Sequence, residues 1–401
     1  MPPGDPDSWW LVNTLMPYAF DKILFGPQDV DTEKLPVGLA TGVETYVLGA
    51  FNPGFCQLPN GNFLMMVRIA EALKEPQIDE MVGVLRFDAL VGSFQIDQYP
   101  MAEIDFSDPR KYKFKKAGEI FALTSLSWLL PVELNSDATA VLKVHYDKMI
   151  LPEHSCQEYG VEDARITKVA DTYYMTACAV ASGRHSTILY SSKDGLNYEY
   201  QGLILDHQNK DMVIFPEKIA GLYHALTRPQ GGLYFVDPDK ENNPGPGINI
   251  ATSPDMLHWR PLESVLVKPR KHSALSRKVG SGAPPIRTND GWLVLFHGVS
   301  DGSLVGVYRT LWMLLDINDP QKILDMEISS PLLEADSELT QAHQDLVYLA
   351  DVVFTTGILK LDDSYILASG ELDFCCRITH IPQSIFRKKY YAKQIRLSEK
   401  E

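Results

Sequence analysis

The sequence has no Cys-x-x-Cys pair, and its five cysteines (Cys56, Cys156, Cys178, Cys375 and Cys376) are scattered apart from one adjacent pair. That spacing indicates neither a zinc site nor a disulfide framework, so reduced, mostly buried thiols and no metal are expected. No run approaches the ~18 apolar residues that span a bilayer, which excludes a helical membrane anchor. The opening residues, Met1 to Asp7, have no basic stretch and no apolar stretch, so a secretory signal is not expected. Basic residues are in deficit: 37 Lys and Arg face 52 Asp and Glu, for a net charge of −15. Neutralising phosphates along a nucleic acid needs a basic surface, so a nucleic-acid partner is not expected. A local basic pocket inside an acidic shell stays compatible with that charge. Helical periodicity is scarce, and no low-complexity linker divides the 401 residues.

Short strand-like runs bounded by turn signals recur instead. A turn leads into Phe63 to Arg68, another into Tyr173 to Cys178, and others into Leu222 to Arg228, Trp292 to His297 and Tyr365 to Ser369. A second strand follows in these units. In two of them it runs into similar turns, Ser192-Lys193-Asp194-Gly195 and Ser253-Pro254-Asp255-Met256. Repetition every ~40–60 residues, with room for four short strands per unit, predicts an all-β, five-bladed β-propeller. A pair of β-sandwiches with similar turn spacing is the alternative. Length alone suggests two or three domains, but five blades make one. The expected division is an N-terminal extension over 1–45 packing on the propeller, the propeller over 46–385, and a charged C-terminal tail over 386–401. Loops and a short helix are expected in the segment 99–157.

Gly160-Val161-Glu162-Asp163-Ala164-Arg165-Ile166-Thr167 sets two carboxylates beside an arginine, just before a strand-like run. Taken alone it reads as a solvated turn, since charged residues are mostly exposed; a perturbed carboxylate at a catalytic site is the other reading. Arg68, Arg228 and His297 each end an apolar strand at the same place in different units. Equivalent positions in a propeller converge on its axis, so these polar residues are expected to meet.

The chain resembles glycoside hydrolase family 130, the β-mannoside phosphorylases and related β-mannosidases. The resemblance rests on pieces in family order from about Phe51 to Pro382. They are Phe51-Asn52-Pro53-Gly54, Val67 to Glu71, Gly160 to Thr167, Asn209 to Ile219, Leu226-Thr227-Arg228-Pro229, Lys278 to Ile286, Gly291-Trp292 through His297-Gly298, and Val353 to Gly357. The resemblance implies a five-bladed propeller and assigns roles residue by residue. Asp163 matches the general acid, whose proton travels through a sugar hydroxyl. Lys210, Arg228 and Lys278 match phosphate-binding cations, with His297 close by. Asn52, Arg68 and Asp373 match the residues that hold the mannosyl unit, and Glu162 and Arg165 are expected to touch substrate as well.

Inverting cleavage of a glycoside by water takes an acid and a base. Phosphate is already an anionic nucleophile, so cations that bind and aim it replace the base. With Lys210, Arg228 and Lys278 all basic, the implied reaction is phosphorolysis of β-linked mannosides to α-mannose 1-phosphate. Inorganic phosphate is the co-substrate, and no other cofactor is expected. An inverting β-mannosidase using water and a non-catalytic carbohydrate-binding propeller are the alternatives. A phosphorylase is expected in the cytoplasm, and the resemblance is compatible with a homo-oligomer. Glu371, in Ser369-Gly370-Glu371-Leu372-Asp373, departs from the family pattern and reads either as a substituted base or as a solvated or hydrogen-bonded residue. The run Asn242 to Gly247 is read as an insertion that reshapes the acceptor side.

Overall fold

In the computed structural model the described residues are 18–116, 121–205, 207–230 and 245–386, and their regular secondary structure is almost entirely β. Besides the helical residues 384–386, the α-helix among them is one short turn, Pro36–Thr41, opened by a proline and stopped at Gly42, whose φ of 69° suits a residue without Cβ. The tail beyond Phe386, the first 17 residues and the first half of the run 242–247 lie outside the described residues.

Four larger sheets account for most of the strands. One orders Phe20–Phe25, Cys375–Pro382, Ser364–Glu371 and Val353–Leu361. A second, of eight strands, has two halves. Thr45–Gln57, Phe63–Leu73, Leu126–Leu134 and Val141–Val144 form one half, and Gly160–Val169, Thr172–Ala181, Arg184–Ser192 and Glu199–Leu203 form the other. The backbones of the halves pair at a single parallel bridge, Ser127 beside Gly160. The third sheet holds Asn209–Ile214, Tyr223–Pro229, Ile248–Ser253 and Arg260–Val267. In the fourth, Lys278–Ser281 and Ile286–Arg287 both pair with Trp292–Ser300, followed by Val307–Leu315 and Ile323–Glu327.

Side chains alternate across a strand, and here both faces are covered. Trp128, Leu130 and Val132 enter one core while Leu129 enters another. Trp292, Val294 and Phe296 likewise separate from Leu293 and Leu295. This explains why the strands read as continuous apolar runs rather than as an alternation. Two turns recur in form. Ser192 and Ser253 each accept from the backbone N–H three residues on, and Asp194 and Asp255 each accept two backbone N–H groups. Gly195 and Met256 fill the same left-handed position, at φ 78° and 74°.

Two expectations need correction. The strand pairs read as the first and second of each unit are the second and third of each sheet, because an inner strand precedes them. The segment 99–157 is not mainly loop. It supplies Leu126–Leu134 and Val141–Val144 to the eight-stranded sheet and, as Ile104–Asp108, Lys111–Phe114 and Phe121–Leu123, a small sheet of its own. Residues 20–25, read as part of an extension, are hydrogen-bonded into the last sheet. There Asp21 receives two bonds of 2.7 Å from Arg377 and one of 2.9 Å from Thr379.

Candidate active site

Four of the strands that reach the site share an irregularity. Register shifts fall between Phe51 and Gly54, Glu162 and Arg165, Lys210 and Val213, and Thr355 and Gly357. At three of them the extra residue is Asn52, Asp163 or Asp211, with φ of 49°, 52° and 56°. Asn and Asp tolerate this left-handed region better than other side chains with a Cβ. A bulge of this kind re-aims side chains, so both members of Phe51-Asn52, Glu162-Asp163 and Lys210-Asp211 line one cavity of about 320 Å³. The neighbouring strands contribute at matching heights: Arg68 lies opposite Phe51, Arg228 opposite Lys210 and His297 opposite Gly280.

One side of the cavity is a compensated charge network. Asp163 Oδ1 accepts from Asn52 Nδ2 at 2.9 Å and from Arg68 Nη1 at 3.0 Å. Glu162 accepts from Arg68 Nη2 at 2.8 Å and from Lys210 Nζ at 3.0 Å. Arg68 is braced from beneath by Ser127 and lies over the Phe51 ring. Burial pushes the Asp163 carboxyl up, but Arg68, then Lys210 and Arg165, hold it well below the usual carboxylate range. Glu162 is lowered by Arg68 and Lys210 against its own burial. Asp373, in the same cavity, goes the other way: burial outweighs the attraction of Arg68 and lifts it to about 6.

The opposite side is cationic. Arg228 Nη1 meets His297 Nε2 at 3.1 Å, and Arg228 Nε lies 3.0 Å from Asp211. Burial, then Arg228 and Lys278, keep His297 neutral by pulling its pKa well below the ordinary value. Lys278 sits over the Tyr308 ring and, among the described residues, makes no ion pair. Burial, followed by the repulsion of Arg228, brings its pKa down to about 7. Arg165 is buried behind the site. Its Nε donates to the Gly282 carbonyl at 2.6 Å and its Nη1 to the Asp163 carbonyl at 2.7 Å, so it fixes the bulge rather than facing the cavity.

Of the residues singled out in the sequence, Asn52, Arg68, Glu162, Asp163, Lys210, Arg228, Lys278 and Asp373 line the cavity. His297 stands directly behind Arg228. Glu371 does not line it. It is buried and accepts from Arg377 and from the backbone N–H of Asp336, so it is a hydrogen-bonded residue and is neither solvated nor set in the cavity as a substituted base. Asp211, Tyr308, Phe354, Arg110, Tyr348 and His185 also line the cavity and were not singled out. Asp211 had a signal: Lys210-Asp211 occupies the same bulge as Glu162-Asp163. Six Lys and Arg residues surround the cavity against four Asp and Glu, an excess of positive charge in a chain of net charge −15.

Residues 132–387 match the family model described as beta-1,4-mannooligosaccharide phosphorylase. The chain is 33% identical, over 82% of its length and 87% of the relative's, to a beta-1,2-mannobiose phosphorylase of Listeria innocua. It is 34% identical to a 1,2-beta-oligomannan phosphorylase of Thermoanaerobacter over 57% of this chain and 70% of the other. The solved structure of a Listeria innocua beta-1,2-mannobiose phosphorylase with beta-1,2-mannobiose superposes with a TM-score of 0.75 and 30% identity. That superposition covers 92% of this chain and 97% of the other.

Proposed function

The chain belongs to glycoside hydrolase family 130, and from that premise we propose that it phosphorolyses β-linked mannosides with inversion, giving α-mannose 1-phosphate and a shortened acceptor. The observation that carries this reading is the pairing of a hydrogen-bonded sugar side, built from Asn52, Arg68, Asp163 and Asp373, with a cationic side built from Lys210, Arg228 and Lys278, in one cavity. Glu162 and Asp211 are already engaged by cations and Glu371 lies elsewhere, while Asp373, the cavity carboxylate without an ion pair among the described residues, is assigned to the mannosyl ring rather than to a water.

On this reading phosphate binds Lys210, Arg228 and Lys278, with neutral His297 supporting the Arg228 guanidinium. One phosphate oxygen attacks C1 from the face opposite the glycosidic oxygen. Asp163 supplies the proton to the departing sugar through a mannosyl hydroxyl. In the empty site its carboxyl is ionised. A bound dianion cancels part of the field of Lys210 and its neighbours and raises the carboxyl's proton affinity, so that Asp163 takes up a proton from solvent before the step. The hydrogen phosphate returns one to solvent as it becomes the phosphomonoester dianion. Asn52, Arg68 and Asp373 hold the mannosyl ring.

The propeller belongs to the same proposal. Dividing the eight-stranded sheet at its single parallel contact gives five units whose inner strands meet at one cavity, which supports a five-bladed arrangement. The catalytic domain would then span 46–385, with Phe20–Phe25 completing its last sheet. A cytoplasmic location fits this chemistry, because a sugar phosphate made outside the cell is lost to it.

The test is product identification after incubation with β-1,2- and β-1,4-mannobiose, with and without inorganic phosphate. Mannose 1-phosphate formed only with phosphate is the expected result. Free mannose at a rate indifferent to phosphate would make the protein a hydrolase. Unchanged substrate in every tube, with measurable binding, would make it a carbohydrate-binding module.

A further inference from the structure

A second cavity, of about 520 Å³, lies against the cationic side of the first and is lined by Lys271, His272, Ser276, Arg277, Lys278 and Asp301, with the backbone at Gly245 and Pro246. Lys278 belongs to both cavities. The turn 301–306 divides them, with Asp301 bordering the outer space and Val305 the inner. We propose that the outer cavity is an anion-binding vestibule that collects inorganic phosphate and delivers it past Lys278 to the central cavity. The proposal rests on the phosphorolysis reading and extends it to how the co-substrate arrives.

Three observations carry it. The first is charge. Three Lys and Arg residues and a histidine face one carboxylate, Asp301, and among the described residues neither Lys271 nor Arg277 makes an ion pair. The second is construction. The backbone of Arg277 is held on both sides: its N–H donates to Val299 at 2.9 Å, and Gly245 packs so closely that an added Cβ would lie 1.9 Å from its carbonyl. Val279 N–H also donates to Pro246 at 3.0 Å, so the walls are tied to the sheet that carries Lys278. The third is need. A chain of net charge −15 repels a phosphate dianion at long range. A concave patch of cations leading to the reaction centre focuses the field and restores the encounter rate. Inorganic phosphate and the phosphomonoester of mannose 1-phosphate share this chemistry, so the same vestibule serves the reverse reaction.

The variant Lys271→Ala/Arg277→Ala tests this without touching the central cavity. Its control is Lys168→Ala/Lys360→Ala, which removes equal charge from the far ends of two inner strands. Calorimetric binding of inorganic phosphate, with or without turnover, should weaken roughly 3–10-fold at low ionic strength in the vestibule variant and converge with wild type at high salt. In steady state, kcat/KM for phosphate, and in the reverse direction for mannose 1-phosphate, should fall by the same factor. The value for the mannoside, and kcat, should not move. An effect on phosphate alone would make the vestibule specific for the free ion; an effect on both directions fits a shared path. Phosphate binding and salt dependence equal to the control would overturn the proposal. So would a matching loss in mannoside affinity, which would make the cavity an acceptor subsite. If the wild type gives no mannose 1-phosphate but phosphate binding still weakens in the variant, the vestibule stands and the phosphorolysis reading falls.

Discussion

The two sides of the central cavity are built from the same parts and treat charge in opposite ways. On the sugar side Arg68 bridges Glu162 and Asp163, and Lys210, at the border with the cationic side, closes on Glu162 as well. Burial there is offset by partners, and the Lys210 and Arg68 pKa values are pushed upward. On the other side Arg228 shares Asp211 with Arg165 and His297, and Lys278 has the Tyr308 ring but no carboxylate partner among the described residues. Its pKa falls to about 7. A desolvated cation without a counter-charge is costly, and the difference supports the proposal that an anion from outside completes this side.

The most severe break in the comparison comes from Asp163→Asn. It keeps the hydrogen-bonding shape of the sugar side and removes the proton donor, so kcat should fall by about 10²–10⁴ while mannobiose still binds, as read by calorimetry. Next, Lys278→Ala should raise KM for phosphate by about 10-fold to 100-fold with little change for the mannoside, the loss of one charge-assisted contact. If mannoside affinity falls as far as phosphate affinity, the two sides are not separate.

A subtler perturbation is Gly280→Ala. A Cβ there would lie 2.6 Å from both an Asp211 carboxylate oxygen and the His297 ring, so the Arg228–Asp211–His297 cluster must shift. A phosphate KM raised about 10-fold, without loss of the fold by circular dichroism, is expected. The smallest effect is one of pH. Lys278 in the free enzyme is protonated below about 7 and loses its charge above it. After correction for phosphate's own ionisation, phosphate affinity should decline several-fold as pH rises through that value, because the cation is lost on the alkaline side. Bound phosphate favours the protonated lysine, so calorimetry in buffers of different ionisation enthalpy should also show proton uptake on binding.

Much of this was legible in the sequence, for identifiable reasons. Arg68, Arg228 and His297 could be matched across units because each ends an apolar run, and the pairing registers set them opposite inner-strand residues in the same way. The inner strands themselves were harder to see. A bulge inserts one residue and breaks the two-residue period that marks a strand, so Glu162-Asp163 reads as a turn and no strand stands out at Lys210-Asp211. Asp211 was missed on that account, although it anchors the cationic side. Leu126–Leu134 was hidden by its setting, since the three-stranded sheet ending at Leu123 separates it from its partner Phe63–Leu73. Arg110, Tyr308 and Tyr348 reach the cavity from connections and neighbouring strands, and their approach depends on tertiary packing that no local pattern encodes.

The central claim is that phosphate, held by the uncompensated cations, takes the place of water as nucleophile. Turnover of β-mannobiose with phosphate in ¹⁸O-labelled water, followed by mass spectrometry, tests it most directly. The account predicts mannose 1-phosphate and an acceptor sugar with no solvent oxygen at C1 of the transferred mannosyl unit. Mannose carrying one ¹⁸O as the first product, formed equally well without phosphate, would contradict it.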